Sequence, residues 1–365
     1  MKKFVVGFFV LALTAVMFLD VFAANTNETN RRHVDFEELD LTNEEIPVIA
    51  ESKVLVAASS ILSDEVANAV LYNSGNYTFF KKQGSSSGDV EDRAGLTMWI
   101  KALGGMEKLD MKDYDDEIET YYYGAVLGLD TDRQYSDSFD ATYGIFASYV
   151  GSEFKDKDFD DDKIKQNGGF VGVRGNWYVG KLFFGAVLDY GMIQNKVEAS
   201  SGTSSGTSSE EINTQSIGLS AKVGYNFEVA ERSFTIQPNV VFNANYLIVE
   251  DYDSIIDVWG EKTKIENDNI RNIAIAPGLK LAKTLGKCWI ISAEGKYVFV
   301  SSDGDIKLAT ETIESVMPES YYKNYVNCGL GIEKIWGYTV LHVKVNKNFI
   351  GRDGYSLNAG IEFKF

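Results

Sequence analysis

Few side chains in this sequence could do covalent or metal chemistry, and their spacing does not support it. There are two histidines, His33 and His342. Hydrolysis by a side-chain nucleophile needs an imidazole beside a hydroxyl or thiol, with an acid to orient it. His33 lies in a polar stretch near the start. His342 shares its strand face with Lys344, with no serine or acid marked as its partner, and reads as a polar filler. Asp156, Asp158, Asp160 and Asp162 alternate as at the start of a calcium loop. The sixth place is Asp161 rather than glycine and the twelfth is Asn167 rather than glutamate, so the segment reads as a solvated acidic loop. No G-x-S-x-G, zinc spacing or phosphate loop is present. The expectation is no catalytic residue, no metal, no cofactor and no enzyme. Cys288 and Cys328 fall on opposite strand faces by parity, so two separate thiols are expected.

With little to catalyse, the chain is better read through the elements that hold these residues. The net charge is -18 and the sequence pI about 4.6. No basic field exists to neutralise phosphates, which excludes nucleic acid as a partner. Thirty-three glycines and 42 tyrosines and phenylalanines (20 and 22) stand against 4 prolines, a balance that suits a barrel rather than a collagen or a disordered chain. Beyond the N-terminus no long apolar run has the look of a membrane helix.

The most regular stretch is the last, residues 354–365, GYSLNAGIEFKF. Tyr355, Leu357, Ala359, Ile361, Phe363 and Phe365 take one face, and Ser356, Asn358, Gly360, Glu362 and Lys364 the other. Period two with one apolar face is a strand. It reaches the carboxylate without a tail, as a strand can when it pairs with the first strand of a closed barrel. Alternation predicts eleven more strands near residues 94–103, 119–129, 140–150, 169–179, 182–192, 216–227, 234–248, 272–282, 289–300, 322–332 and 338–346. Short turns near 179–181, 229–233, 284–287 and 336–337 alternate with long loops at 110–117, 153–166, 198–211, 251–268 and 301–320, and the turn after the second strand, 130–138, is expected to be longer than the other short turns. Short turns on one side and long loops on the other is the pattern of an outer-membrane barrel. Pro238 and Pro277 fall inside strands, where each removes a ladder donor, so a bulge or kink is expected. Trp177, Trp289 and Trp336 fall near strand ends and suit interface girdles, whereas Trp259 belongs to a loop.

Upstream, Lys2 and Lys3 precede an apolar run, and Val21-Phe22-Ala23 offers small residues for a signal peptidase. Residues 1–23 read as a cleaved secretory signal and 24–47 as a flexible acidic leader. Residues 48–93 read as a helix and its linker, and 94–365 as the barrel. Within 48–72 the apolar residues recur at helical spacing after Pro47. The charges Glu51, Lys53, Asp64 and Glu65 keep this helix out of lipid. A twelve-strand barrel is too wide for its own side chains to fill. The helix is therefore expected in the lumen, with Ser52, Ser59, Ser60, Ser63 and Asn68 bonding to a polar wall.

LTMWIKALGG at 96–105, YYYGAVLGLD at 121–130, FTIQPNVVF at 234–242 and the terminal GYSLNAGIEFKF, in that order, resemble the β-domain of autotransporters. The resemblance implies a twelve-strand, all-β outer-membrane barrel with a helix in its lumen. It also implies a barrel-assembly signal at Tyr355, Leu357, Ile361, Phe363 and Phe365. The implied partners are outer-membrane lipid, the barrel-assembly machinery and periplasmic chaperones, and the expected state is a monomer. Only about two dozen residues lie between signal and helix, and no β-helix repeats appear, so a translocator with little or no passenger is expected. The Asn-Asn pair at which some members cleave themselves is missing, because Asn68 precedes Ala69. Two other readings share the fold: a surface adhesion protein presenting long acidic loops to an unknown ligand, and a small diffusion porin.

Overall fold

The computed structural model describes residues 45–72, 74, 95–111, 114–136, 138–156, 163–200, 207–229, 233–258, 261–286, 288–308, 311–314, 321 and 323–365. The expected signal, the leader up to residue 44, the linker 75–94, residues 157–162 of the acidic loop and Trp259 lie outside them.

One helix, α1 (Glu45–Leu71), precedes the strands. Its 27 residues span roughly 40 Å at 1.5 Å per residue, the height of a barrel wall. The strands are β1 (Leu96–Met111), β2 (Tyr114–Ser136), β3 (Phe139–Asp156), β4 (Lys163–Val179), β5 (Leu182–Ser200) and β6 (Thr207–Tyr225). They continue with the short β7 (Phe227–Val229), β8 (Phe234–Val249), β9 (Tyr252–Val258), β10 (Glu261–Asn267), β11 (Ile270–Leu285) and β12 (Trp289–Asp303). The last are β13 (Asp305–Leu308), β14 (Glu311–Glu314), β15 (Tyr325–Trp336), β16 (Thr339–Phe349) and β17 (Asp353–Lys364).

Twelve of these close an antiparallel barrel, with β7 prolonging β6. The seam runs from Thr97↔Lys364 to Lys108↔Asp353, and the Phe365 amide donates to the Leu96 carbonyl at 2.8 Å. The terminal strand therefore has no free edge. The expected helix at 48–72 begins three residues earlier, with Pro47 in its first turn, where its missing N–H has no helical partner to lose. Short connections are made by glycines in the left-handed region, Gly180 (φ 60°) and Gly337 (φ 59°), each the first residue of a two-residue hairpin turn.

The two prolines change the ladders without shifting register. Pro238 pairs with Leu279 of β11, but on its other side the ladder is interrupted between Gly224↔Asn239 and Phe227↔Ile236. Pro277 pairs with Val240 of β8, while β12 pairs only at Ile275 and Gly278. Each proline opens one side of its strand and holds the other, so the expected bulge becomes a local gap.

The strands run well past the expected ends. β2 has 23 residues and β5 and β6 have 19 each, against 11 or 12 in β15, β16 and β17. A tilted strand needs about 9–11 residues to cross a membrane, so only the shorter strands are close to a bare span. Much of the predicted loops at 110–117, 153–166 and 198–211 is therefore strand. The loops at 251–268 and 301–320 also differ from expectation. They fold into the hairpins β9–β10 and β13–β14, which join through β10 and β13 in a separate four-stranded sheet. β9 lies against α1, β5 and β6, placing this sheet at the mouth of the barrel.

The side-chain pattern reverses along the tall strands. In the inner part of β5, Leu188, Tyr190 and Met192 point out and Asp189 points in; farther out, Gln194 faces out and Ile193 and Val197 are buried inside. The same exchange occurs in β6, where Ile217 and Leu219 are outward but Ile212 is inward. An apolar outside fits lipid, and an apolar inside fits a water-bathed extension. Tyrosines mark the change: the hydroxyls of Tyr121, Tyr149 and Tyr190 donate to Glu119, Asn167 and Gln215 at 2.8–3.0 Å.

Both cysteines are free. Cys288 lies in the turn before β12 rather than on the inner wall, and Cys328 is on the exposed face of β15.

Candidate functional site

The functional centre is the lumen, which α1 threads. Val54, Leu55, Val56, Ala57, Ala58, Ile61 and Leu62 are all buried, so the helix is covered on every side. A helix that is apolar all round requires an enclosing core. The extended strand ends supply it: Leu109, Phe154, Ile164, Ile193, Val197, Ile212 and Leu247 are buried, as are Tyr252, Ile265 and Ile306 of the mouth sheet. The sequence suggests a polar wall, read from the strands expected at 216–227 and 234–248. In the structure the loop end is an apolar zone, and the polar wall occupies the middle and the short-turn end.

The predicted helix residues divide accordingly. Ser52 donates to Asn267 at 3.1 Å, in the mouth sheet. Ser63 donates to Asn245 and accepts from Ser216, both at 3.1 Å. Ser59 donates to the Leu55 carbonyl within its own helix and accepts from Gln166 at 3.1 Å. Ser60 departs from expectation: it is buried and its hydroxyl has no partner among the described residues. Asn68 departs as well: it is exposed to a lumen cavity and makes no bond to the wall among the described residues. Asp64 has a wall contact of its own, accepting from Asn245 at 2.7 Å and from Tyr321 at 3.0 Å.

The helix direction follows from these contacts. Its first turns meet the mouth sheet. Its end meets residues close to the short turns, because Ser74 donates to Asn176 at 2.5 Å and Tyr72 to Glu333 at 3.1 Å. No basic residue stands in the last helical turn. Two wall cations serve instead. Lys101 donates to the Ala69 carbonyl at 2.8 Å and Arg174 to the Val70 carbonyl at 3.0 Å. The last carbonyls of a helix have no intrahelical donor and carry the negative end of its dipole, so both cations are favourably placed. Arg174 is held by Asp130 in a bidentate pair, and its guanidinium lies 4.5 Å from the Trp99 ring. Sequence reasoning did not single out Lys101, Asp130 or Arg174. A signal was present, since all three are charges at lumen parity in strands whose other face is apolar.

His342 is buried, stacks on Tyr72 at 4.8 Å and lies 3.3 Å from Asn358. Lys344 is engaged with Glu294 at 2.6 Å. The histidine is thus part of the seat of the helix end. Tyr355, Leu357, Phe363 and Phe365 are exposed on the outer face of the closing strand, with Ile361 half-buried on the same face.

The model of the autotransporter β-domain family matches residues 98–336. Among solved structures, the transport unit of the autotransporter AIDA-I from Escherichia coli is similar at 18% identity, over 80% of this chain and 99% of that one, with a TM-score of 0.62. The translocator domain of the autotransporter NalP from Neisseria meningitidis is similar at 12% identity, over 80% and 95%, with a TM-score of 0.59. The β-domain of the Bordetella autotransporter BrkA is similar at 18% identity, over 75% and 100%, with a TM-score of 0.56. No curated protein matches.

Proposed function

Because the chain belongs to the autotransporter β-domain family, we propose that its barrel is an outer-membrane translocator and that α1 leads the chain before it to the cell surface. The threading of α1 carries this reading. Its first turns lie at the mouth sheet and its last residues at the short turns, where β1 begins. In the outer membrane short turns face the periplasm, so the residues ahead of Glu45 leave on the outside. The signal at residues 1–23 supplies export and is removed, and the acidic leader is the segment presented. The likeness to solved translocator domains supports the fold of this reading. Partners follow from the outer strand faces: lipid along the barrel, and the assembly machinery and periplasmic chaperones at the terminal strand. No catalytic role is assigned.

An epitope inserted between Asn27 and Glu28 tests it. Antibody should label intact cells, and external protease should remove the label while the barrel stays folded. Labelling only after the outer membrane is permeabilised would mean that α1 does not deliver the leader outward.

A further inference from the structure

Beside the second half of α1 lies a cavity of about 90 Å³, lined by the helix and by the walls of β6, β8, β11, β12 and β15 to β17. Five cations border it, Lys222, Lys280, Lys296, Lys344 and Arg352, against three carboxylates, Asp64, Glu65 and Glu294. Arg352 is used by Glu107 at 2.6 Å, and Asp64 is taken up by Asn245 and Tyr321.

Three of the lysines converge on the single carboxylate of Glu294. Lys344 donates to it at 2.6 Å. Lys296 and Lys222 stand 3.5 and 4.0 Å from its other oxygen, too long for a hydrogen bond of normal strength. That oxygen, Glu294 Oε1, is buried and has no hydrogen-bond partner among the described residues. Lys222 and Glu294 are both more than nine-tenths buried. Lys280 and Lys344 lie 5.6 and 5.5 Å from the ring of Tyr72, which fixes them at the end of the helix. Like charges held together away from bulk water repel strongly, and Glu294 is the one carboxylate with which these three ammoniums pair among the described residues, Asp64 and Glu65 standing elsewhere on the cavity wall.

We propose that this cavity binds a small oxyanion of the phosphate or sulfate type between Lys222, Lys296 and Lys344, next to Glu294. The ammoniums are compact point charges with rotatable donors, suited to a tetrahedral anion. The volume holds several waters or one such ion. It is too small to hold an extended peptide beside α1. The bound anion ties β6, β12 and β16 together beside the helix end.

Equilibrium dialysis of the detergent-solubilised full chain against radiolabelled inorganic phosphate, at fixed ionic strength, tests this. Saturable binding near one ion per barrel is expected, displaced by sulfate and not by chloride at the same concentration. Lys222→Gln and Lys296→Gln should each weaken it about tenfold or more, the scale of one charge-assisted hydrogen bond. Glu294→Gln removes a repelling charge and should tighten it, so this variant decides the matter even where a lysine variant fails to fold. Absence of saturable binding, equal binding by folded lysine variants, or unchanged or weaker binding by Glu294→Gln would overturn the proposal.

Discussion

At the scale of single residues, Phe365 closes the seam and is also the last residue of the proposed assembly signal. Its amide donates to the Leu96 carbonyl at the first position of β1, and the residue is 72% exposed. An aromatic ring at the end of the last strand, on the lipid side, is available both for recognition during insertion and for the membrane interface. Deleting Phe365 should lower the yield of folded, heat-modifiable barrel in outer-membrane fractions, while Lys364 still pairs with Thr97. An unchanged folded yield would remove the assembly role from this residue. Tyr149 and Tyr190, which donate to Asn167 of β4 and Gln215 of β6, act differently. They fix the height at which lipid gives way to water by bonding across strands on the outside, and they could be substituted singly with little effect on closure.

For the elements, the contact between α1 and the wall is the informative one. The helix has no basic residue of its own near its C-terminal end, and Lys101 and Arg174 are supplied by β1 and β4. Arg174 also neutralises Asp130, which is 3% exposed. Arg174→Leu would leave that carboxylate buried without its partner and the Val70 carbonyl without its donor. Breaking a buried pair on one side is expected to destabilise by about 3–5 kcal/mol. A urea titration of the folded barrel should show the loss as a lower midpoint. The double variant Arg174→Leu with Asp130→Leu should recover part of it, because no lone charge remains. Equal midpoints for Arg174→Leu and the unmodified barrel would mean that the pair does not hold the helix end. β5 and β6 show why the tall strands were read short in sequence. Their alternation persists through residues 193–198 and 209–214, but the apolar residues change sides, and a search for one unbroken apolar face stops at the change.

For the whole molecule, the barrel has two zones that close the lumen in different ways. At the short-turn end, charges and hydrogen bonds seat α1 and leave a cavity lined by polar groups. At the mouth, aliphatic side chains surround it as in a soluble core, under a four-stranded sheet. Deleting residues 24–77 while keeping the signal should give a barrel with higher conductance in planar bilayers and a lower unfolding temperature, since both zones lose their centre. If the deleted form conducts no more than the full chain, the mouth sheet and the aliphatic strand ends close the pore without the helix. A rise in conductance with no loss of stability would mean that the aliphatic zone contributes little to holding the barrel.

The sequence alone determined the count of barrel strands, the lipid-facing positions, the presence of a helix before the barrel and most of the short turns; the turn expected to be longer at 130–138 is short, because β2 runs on to Ser136. Each follows from local periodicity: period two with an apolar outer face in the strands, Gly at the turns, and helical spacing after Pro47. It also placed Glu294, Lys296, His342 and Lys344 on the inner face by parity. Only the tertiary structure decided what those inward groups meet. Three lysines share Glu294 because β6, β12 and β16 curve around one lumen, a relation that joins Glu294 to residues 72 positions before it and 50 after it. The mouth sheet arises in the same way, from pairing of β10 with β13 across the two longest loops. Ser60 and Asn68 were expected to bond to the wall because they are polar. Their places follow from the rotation of α1 about its axis, which turns Ser63 and Asp64 to the wall instead.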